Sequence, residues 1–383
     1  MKTTRTTIVI ALLALVAAVL IAPAAQAKSI APTPPKPVRH VDLVICLDTS
    51  GSMSGLIQSA KQKLWAVVNE LATAKPKPVL RVALYHYGND GLNRENGWVK
   101  QLCPLTSDLD TVYENLFKLT TNGGTELVAR VMRAATTELK WDRSKGTLRI
   151  IFIAGNEAAT QDKTHKLRDT CKAAASAGII VNTIHCGSES KGRSTGWADA
   201  AAWADGQYAA IDHDRGTVVI NTPHDKKLAE LSASINKTYV SYGSKGKASM
   251  ERQSAQDANA SSLNAPAAAQ RASAKASGLY NNAGWDLVDA SKDEKFDITK
   301  VKKEDLPEPM RKMTDEQKKA YIADQAAKRV KIQKEIQELS KKRDTYVKAE
   351  MAKKGLDEKA SFDAALRNMV RTQAEKQNFK FEK

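Results

Sequence analysis

The sequence is short of the groups on which most catalytic chemistry is built. Its six histidines are scattered and its four cysteines never fall into a Cys-x-x-Cys spacing, which argues against a structural zinc site. It contains no His-Glu-x-x-His or Walker loop, so the common zinc-hydrolase and nucleotide-hydrolysing schemes lack their starting points. His185 and Cys186 adjoin, but neighbours on a strand point to opposite faces, so they read as core or rim residues rather than a catalytic pair. Concentrated charge is lacking too. The net charge is +16, and from Gly243 to the end 30 Lys and Arg stand against 22 Asp and Glu, so the excess is spread over both halves. Without a basic stripe interleaved with aromatics, a nucleic-acid partner gains no support; the spread suits a solvated surface with weak attraction to anionic envelopes.

Long apolar runs are equally scarce. The one that stands out, Ile8 to Ala22, follows Lys2 and Arg5 and leads to Ala25-Gln26-Ala27. It falls short of the roughly 20 residues a spanning helix needs and has the order of a cleavable secretory leader. We therefore expect residues 1–27 to be a signal peptide. The mature protein is expected in the periplasm or outside the cell, with no transmembrane segment after cleavage. Residues 28–39, "KSIAPTPPKPVR", read as a proline-rich spacer. An oxidising compartment permits disulfides among Cys46, Cys103, Cys171 and Cys186. Four cysteines allow three pairings, and for Cys46 and Cys186, inside strand-like runs, buried free thiols are the alternative.

What is present, from His40 to about Gly243, is an alternation of apolar strands and amphipathic helices. "LVICL", "IIFI" and "IIVNTIHC" are continuous apolar runs, the pattern of strands covered on both faces in a mostly parallel α/β sheet. Val79 to Cys103 holds two strands joined by turn residues without a helix, which predicts one antiparallel edge strand. Residues 244–300 are expected to be an Ala/Ser/Asn-rich linker or weakly held helix, with a docking segment around "GLYNNAGWDLVDA". Residues 301–383 are expected to form a basic helical tail. Thr314 and Gln317 make a capping box; Ile322, Arg329, Ile332, Ile336, Leu339, Arg343 and Tyr346 follow a coiled-coil-like spacing; and Ser361 caps a second helix. The tail reads as a helical hairpin packed through its own seam, with oligomerisation as the alternative.

The chemistry lies in "DTSGSMSG", directly after the first strand. Ligands of open α/β sheets bind outside the carboxyl ends of strands, where strand order reverses. Asp48 offers a hard anionic oxygen and Ser50 and Ser52 neutral hydroxyls, a partial shell for a hard divalent cation. "LTTNGGTELVARVM" puts Thr125 behind two glycines at the start of a helix, where its hydroxyl could complete that shell. Equally, Thr125 could cap the helix while the serines satisfy loop backbone groups. A phosphotransfer aspartate loop would commonly carry a second acid where Ser50 stands.

On these residues the segment resembles a von Willebrand factor type A (VWA) domain: Asp48, Ser50 and Ser52 match its Asp-x-Ser-x-Ser, and Gly123, Gly124 and Thr125 its Gly-Gly-Thr loop. "AGNE", "NTIHCGSES", "GWADAAAWADGQYAAID" and the tail "YNNAGWDLVDA" further resemble exported bacterial proteins of this type. The resemblance implies a Rossmann-like sheet in order 3-2-1-4-5-6 with the third strand antiparallel. It also implies a MIDAS-type site, in which Mg²⁺ or Mn²⁺ held by Asp48, Ser50, Ser52 and Thr125 recruits an acidic residue of a protein partner, without catalysis. The sequence departs from the family at Gly155, where an aspartate usually supports the metal; Asn156 or Glu157 is the candidate substitute. The alternative function is a structural or assembly protein of the envelope, with a degenerate metal site and an oligomerising tail.

Overall fold

A computed structural model of the chain describes residues 39–211, 219–355 and 362–381. The leader, nearly all of the spacer, and the Ser361 cap lie outside the described residues.

Six strands form one sheet: β1 (His40–Asp48), β2 (Val79–Tyr87), β3 (Val99–Thr106), β4 (Leu148–Gly155), β5 (Ile180–Cys186) and β6 (Tyr208–Ile211). Their order is β3-β2-β1-β4-β5-β6, and all pairs are parallel except β2 with β3. The expected topology and the antiparallel edge strand are both present. Continuous apolar runs fold this way because each central strand is covered twice. Leu43, Ile45 and Leu47 face one core with α1 (Ser54–Ala72) and α2 (Leu109–Phe117), while Val44 and Cys46 face the other with α3 (Val128–Glu138), α4 (Leu167–Ser176) and α6 (Trp197–Trp203). A short α5 (Glu189–Ser194) lies between β5 and α6, a helix too brief to carry a periodic signal. Cys46, Cys103, Cys171 and Cys186 are all buried and none is in a disulfide, so the four act as core residues.

Beyond β6 and α7 (Asp225–Asn236) the sequence reading needs correction. The segment expected to be mostly linker is two packed helices, α8 (Gly246–Leu263) and α9 (Ala265–Ala276). Ala267, Ala269, Ala272, Ala274 and Ala276 are buried in α9, because alanine lets helix backbones approach closely. Arg271 and Lys275 are buried with them. Arg271 is paired to Asp110 at 2.8 Å and to Asp257, and Lys275 to Asp257 at 2.8 Å. Tyr280, Trp285, and Leu287 and Val288 of the short α10 (Leu287–Ala290) are buried, with Trp285 stacked on Tyr239 at 5.5 Å.

The tail does not pack as a hairpin on its own seam. In α11 (Asp315–Lys353), capped by the expected Thr314/Gln317 box, Ile322, Arg329, Ile336 and Arg343 are buried against the body of the protein. Arg329 donates to Asp286 (2.6 Å) and Asp289 (3.0 Å) and covers the Tyr239 ring at 3.9 Å; Arg343 donates to Asp225 at 2.8 Å. The seven-residue spacing is real, but its partners are fixed carboxylates. The last helix, α12 (Phe362–Lys376), packs Leu366, Met369 and Val370 into the core beside α1. Lys380–Phe381 then pairs antiparallel with Ala74–Lys75, just after α1. Among the described residues, no helix is long and apolar enough to cross a membrane.

Removing one partner of a buried ion pair strands the other charge. Arg329→Ala is therefore expected to lower unfolding free energy by about 3–5 kcal/mol. Lys328→Ala, whose pair with Asp324 is exposed, should change it by less than about 1 kcal/mol. Urea midpoints measure both, and equal small effects would refute the buried pairing.

Candidate functional site

The register of the sheet builds the site. Asp48 pairs with Tyr87 on one side, and its neighbour Leu47 with Ala154 on the other, so β1, β2 and β4 all end at one edge. The β1–β4 boundary is where strand order reverses, and the crevice expected of such sheets opens there. Three loops are knitted over it. The Thr49 N–H donates to the Tyr87 carbonyl (2.8 Å), that of Gly51 to the Gly123 carbonyl (2.6 Å) and that of Asn122 to the Thr49 carbonyl (3.0 Å). The Asn89 side-chain amide donates to the Thr49 and Thr120 carbonyls at 3.1 Å each.

Asp48, Ser50 and Ser52 come together as expected. The Ser50 N–H donates to Asp48 Oδ1 at 2.8 Å, and the Ser50 and Ser52 hydroxyls lie 3.4 Å apart. Asn156 joins them, its Nδ2 donating to Ser52 Oγ at 3.0 Å. Glu157 does not: it is exposed, with its backbone carbonyl accepting from Trp197 Nε1 at 2.7 Å. Thr125 is half-buried in the 121–127 loop. It is not a helix cap, because α3 starts at Val128 and no side chain caps it. The residues on either side of Thr125 both reach the site. A Cβ on Gly124 would lie 2.6 Å from Ser50 Cβ and 2.3 Å from Glu126 Oε1, and one on Gly88 would lie 2.8 Å from Asp48 Oδ1 and 2.9 Å from Glu126 Cγ.

Glu126 is the site residue that sequence reasoning missed. The available signal is the acidic residue directly after Thr125, a type common in the first turn of a helix; with α3 beginning two residues later, Glu126 belongs to the loop and is only 7% exposed.

Gly155 is the position where the resemblance expects an aspartate, and the space for a side chain there is taken. A Cβ there would lie 2.6 Å from the Tyr87 hydroxyl, 2.9 Å from Asp48 Oδ2 and 3.1 Å from Trp197. The Tyr87 hydroxyl is buried and donates to the Ala154 carbonyl at 3.1 Å, so it cannot easily move aside.

Asp48 is fully buried. Burial pushes its pKa up to about 7, and the nearby Glu126 charge adds to this; the Ser50 N–H, the Ser50 hydroxyl and a weaker contact from the Asn156 N–H oppose it. Burial likewise raises Glu126, tempered by its own backbone N–H and the side chains of Ser50 and Gln161. Asp48 Oδ2 and Asn156 Oδ1 are buried acceptors without a hydrogen-bond partner. Unsatisfied buried acceptors beside a carboxylate are what a cation would satisfy. The donors are all oxygens, which suits a hard ion such as Mg²⁺ or Mn²⁺. Among the described residues no cluster of three or more His, Cys, Asp or Glu side chains could hold a metal, so an ion here would depend on hydroxyls and carboxylates together.

Part of the chain is similar to known proteins. The von Willebrand factor type A domain family model matches residues 42–196. No curated protein matches the chain. Solved structures similar to it include the SpRpn10 VWA domain, at 16% identity and TM-score 0.35, covering 48% of this chain and 100% of that one. A von Willebrand factor type A protein from Catenulispora acidiphila has 15% identity and TM-score 0.35, covering 46% and 40%. Proximal thread matrix protein 1 from the mussel byssus, with a zinc-occupied MIDAS motif, has 13% identity and TM-score 0.34, covering 46% and 43%. The chain thus spans under half the length of the latter two.

Two outcomes follow. Gly155→Ala should destabilise the fold by about 1–3 kcal/mol through overpacking, with Tyr87→Phe recovering part of the loss in the double variant; a neutral Gly155→Ala would refute the crowding. Asp48 is more acidic in the unfolded chain than in the fold, so the fold holds its proton longer and stability falls as pH rises from about 3.8 to about 7. In chelator, Asp48→Asn should therefore melt increasingly above the parent chain across that window. A melting difference constant from pH 4 to 8 would contradict this.

Proposed function

Because this chain carries a von Willebrand factor type A domain, we propose that it is an exported, non-enzymatic binding protein. On this reading it holds a protein partner through a divalent cation at the end of β1. VWA domains commonly mediate protein–protein interaction and often carry a MIDAS site. The observation that supports such a site here is the unpartnered Oδ2 of fully buried Asp48, beside the hydroxyls of Ser50 and Ser52. In this reading Asp48, Ser50, Ser52 and Thr125 hold Mg²⁺ or Mn²⁺. The ion supplies Lewis acidity toward one incoming oxygen ligand. The rim fits that use, since Ser52, Asn122, Gly123 and Gly124 are exposed and a partner's carboxylate can approach between them. Export rests on the leader-like residues 1–27.

The second reading, a structural or assembly protein with a degenerate site, is favoured by one observation: Gly155 removes the usual aspartate and Tyr87 fills its space. Calorimetric titration of Mg²⁺ and Mn²⁺ into chelator-stripped protein, beside Asp48→Ala, separates the readings. Saturable binding lost in the variant supports the cation-dependent function. Failure of both ions to bind the parent chain favours the assembly reading.

A further inference from the structure

The cation reading leaves a deficit of charge. A divalent ion held by Asp48 alone, with neutral hydroxyls around it, keeps a net positive charge in a largely desolvated crevice, and such a site binds its free ion weakly. Restoring the family's second carboxylate at residue 155 is sterically closed, as the approach to Tyr87 and Asp48 shows.

Three other carboxylates are near enough to consider. Asp90 is exposed and its carboxylate lies against the Gly123 backbone. Glu157 is exposed and acts on the site only through space. Glu126 is buried, and its carboxylate lies beside Ser50, since a Cβ on Gly124 would meet both Glu126 Oε1 and Ser50 Cβ. Its Cγ shares the space over Gly88 with Asp48 Oδ1. The nearby guanidinium on the adjoining helix, Arg130, is already committed to Asp162 at 3.1 Å. Two buried carboxylates on either side of one serine, with no basic side chain assigned to them, are an arrangement that the fold alone does not reward. A cation between them would reverse that cost.

Resting on the cation-site reading above, we infer that Glu126 is the second carboxylate of the site and carries the charge that Gly155 has given up. Gly88 and Gly124 are then part of the device: a Cβ at either would collide with Glu126, at 2.9 and 2.3 Å. The substitution also moves the second charge from the β4 end to the loop that holds Thr125. Asp48 and Glu126 together balance a divalent ion, so the metal can be held before any partner arrives, and the partner's oxygen becomes the last ligand rather than a needed counter-charge.

The test is Mn²⁺ and Mg²⁺ calorimetry on the full mature chain, comparing the parent with Glu126→Gln, Glu126→Ala, Glu157→Gln and Asp48→Ala. Each variant is also melted in chelator and in excess Mn²⁺. Both Glu126 variants are expected to weaken Mn²⁺ binding by about tenfold or more, the scale seen when a supporting group of a metal site is removed. They should melt no lower than the parent in chelator and lose most of the Mn²⁺-induced rise. Glu157→Gln should stay within about twofold of the parent in affinity, by the same scale. Parent-like affinity in the Glu126 variants, with binding abolished in Asp48→Ala, would overturn the assignment of Glu126 and leave the cation site standing. So would a loss in Glu157→Gln equal to theirs. A parent chain that binds neither ion would overturn both.

Discussion

Asp48 is pinned at the end of the central strand by its register with β2 and β4, and the desolvation of its carboxylate is the constraint around which the upper edge of the sheet is arranged. Three loops close over it through backbone hydrogen bonds and leave it buried, with the Ser50 N–H donating to Oδ1. The other oxygen has no such partner. A carboxylate in this state either keeps its proton or finds a cation, and the raised pKa expresses the first choice in the absence of the second. The surroundings are permissive rather than neutralising: glycines at 88, 124 and 155 make room, and hydroxyls stand where ligands would be.

The second organising feature is a set of buried cation–carboxylate contacts that attach the later segments to the sheet domain and to one another. Arg271 reaches Asp110, Arg329 reaches Asp286 and Asp289, and Arg343 reaches Asp225. Each crosses from one sequence region to another far away, and each is satisfied by further hydrogen bonds, such as that from Arg329 Nη2 to the Thr238 carbonyl at 2.7 Å. Such pairs are poor sources of net stability against an apolar alternative, but they are unforgiving of the wrong partner. They therefore fix where α9 and α11 lie.

How much of this was legible depended on the size of the side chains doing the packing. The strands announced themselves through runs of Val, Ile and Leu, and the topology and the Asp-x-Ser-x-Ser edge could be placed from them. Helix α9 was obscure because its buried face is made of alanine together with Arg271 and Lys275, residues whose burial is visible only once Asp110 and Asp257 are in place. The tail's repeat at 322, 329, 336 and 343 was visible, yet two of its four positions are arginine, and nothing local says that their partners are Asp286, Asp289 and Asp225 rather than another helix. Glu126 was hidden by a two-residue error in the start of α3. The family pattern drew attention to the hydroxyl of Thr125 and to the vacancy at Gly155, while the compensating acid stood next to the first.

Helix α1 ties the two features together. It begins at Ser54, two residues after Ser52, and along its length it carries α9 and α12; just beyond its end, Ala74–Lys75 pairs with Lys380–Phe381. Leu366, Met369 and Val370 of α12 share the core with Leu64 and Val68 of α1. The tail is thus part of the packing that fixes the helix on which the serine loop is mounted. Removing residues 301–383 would uncover that core and strand Asp286, Asp289 and Asp225 at once, so a truncated chain that lost partner binding would report a damaged fold rather than the role of the tail. Point changes on a solvent-facing α11 residue such as Val330, which is exposed, leave the buried contacts intact. They address what the outer face of the tail binds without disturbing Asp48.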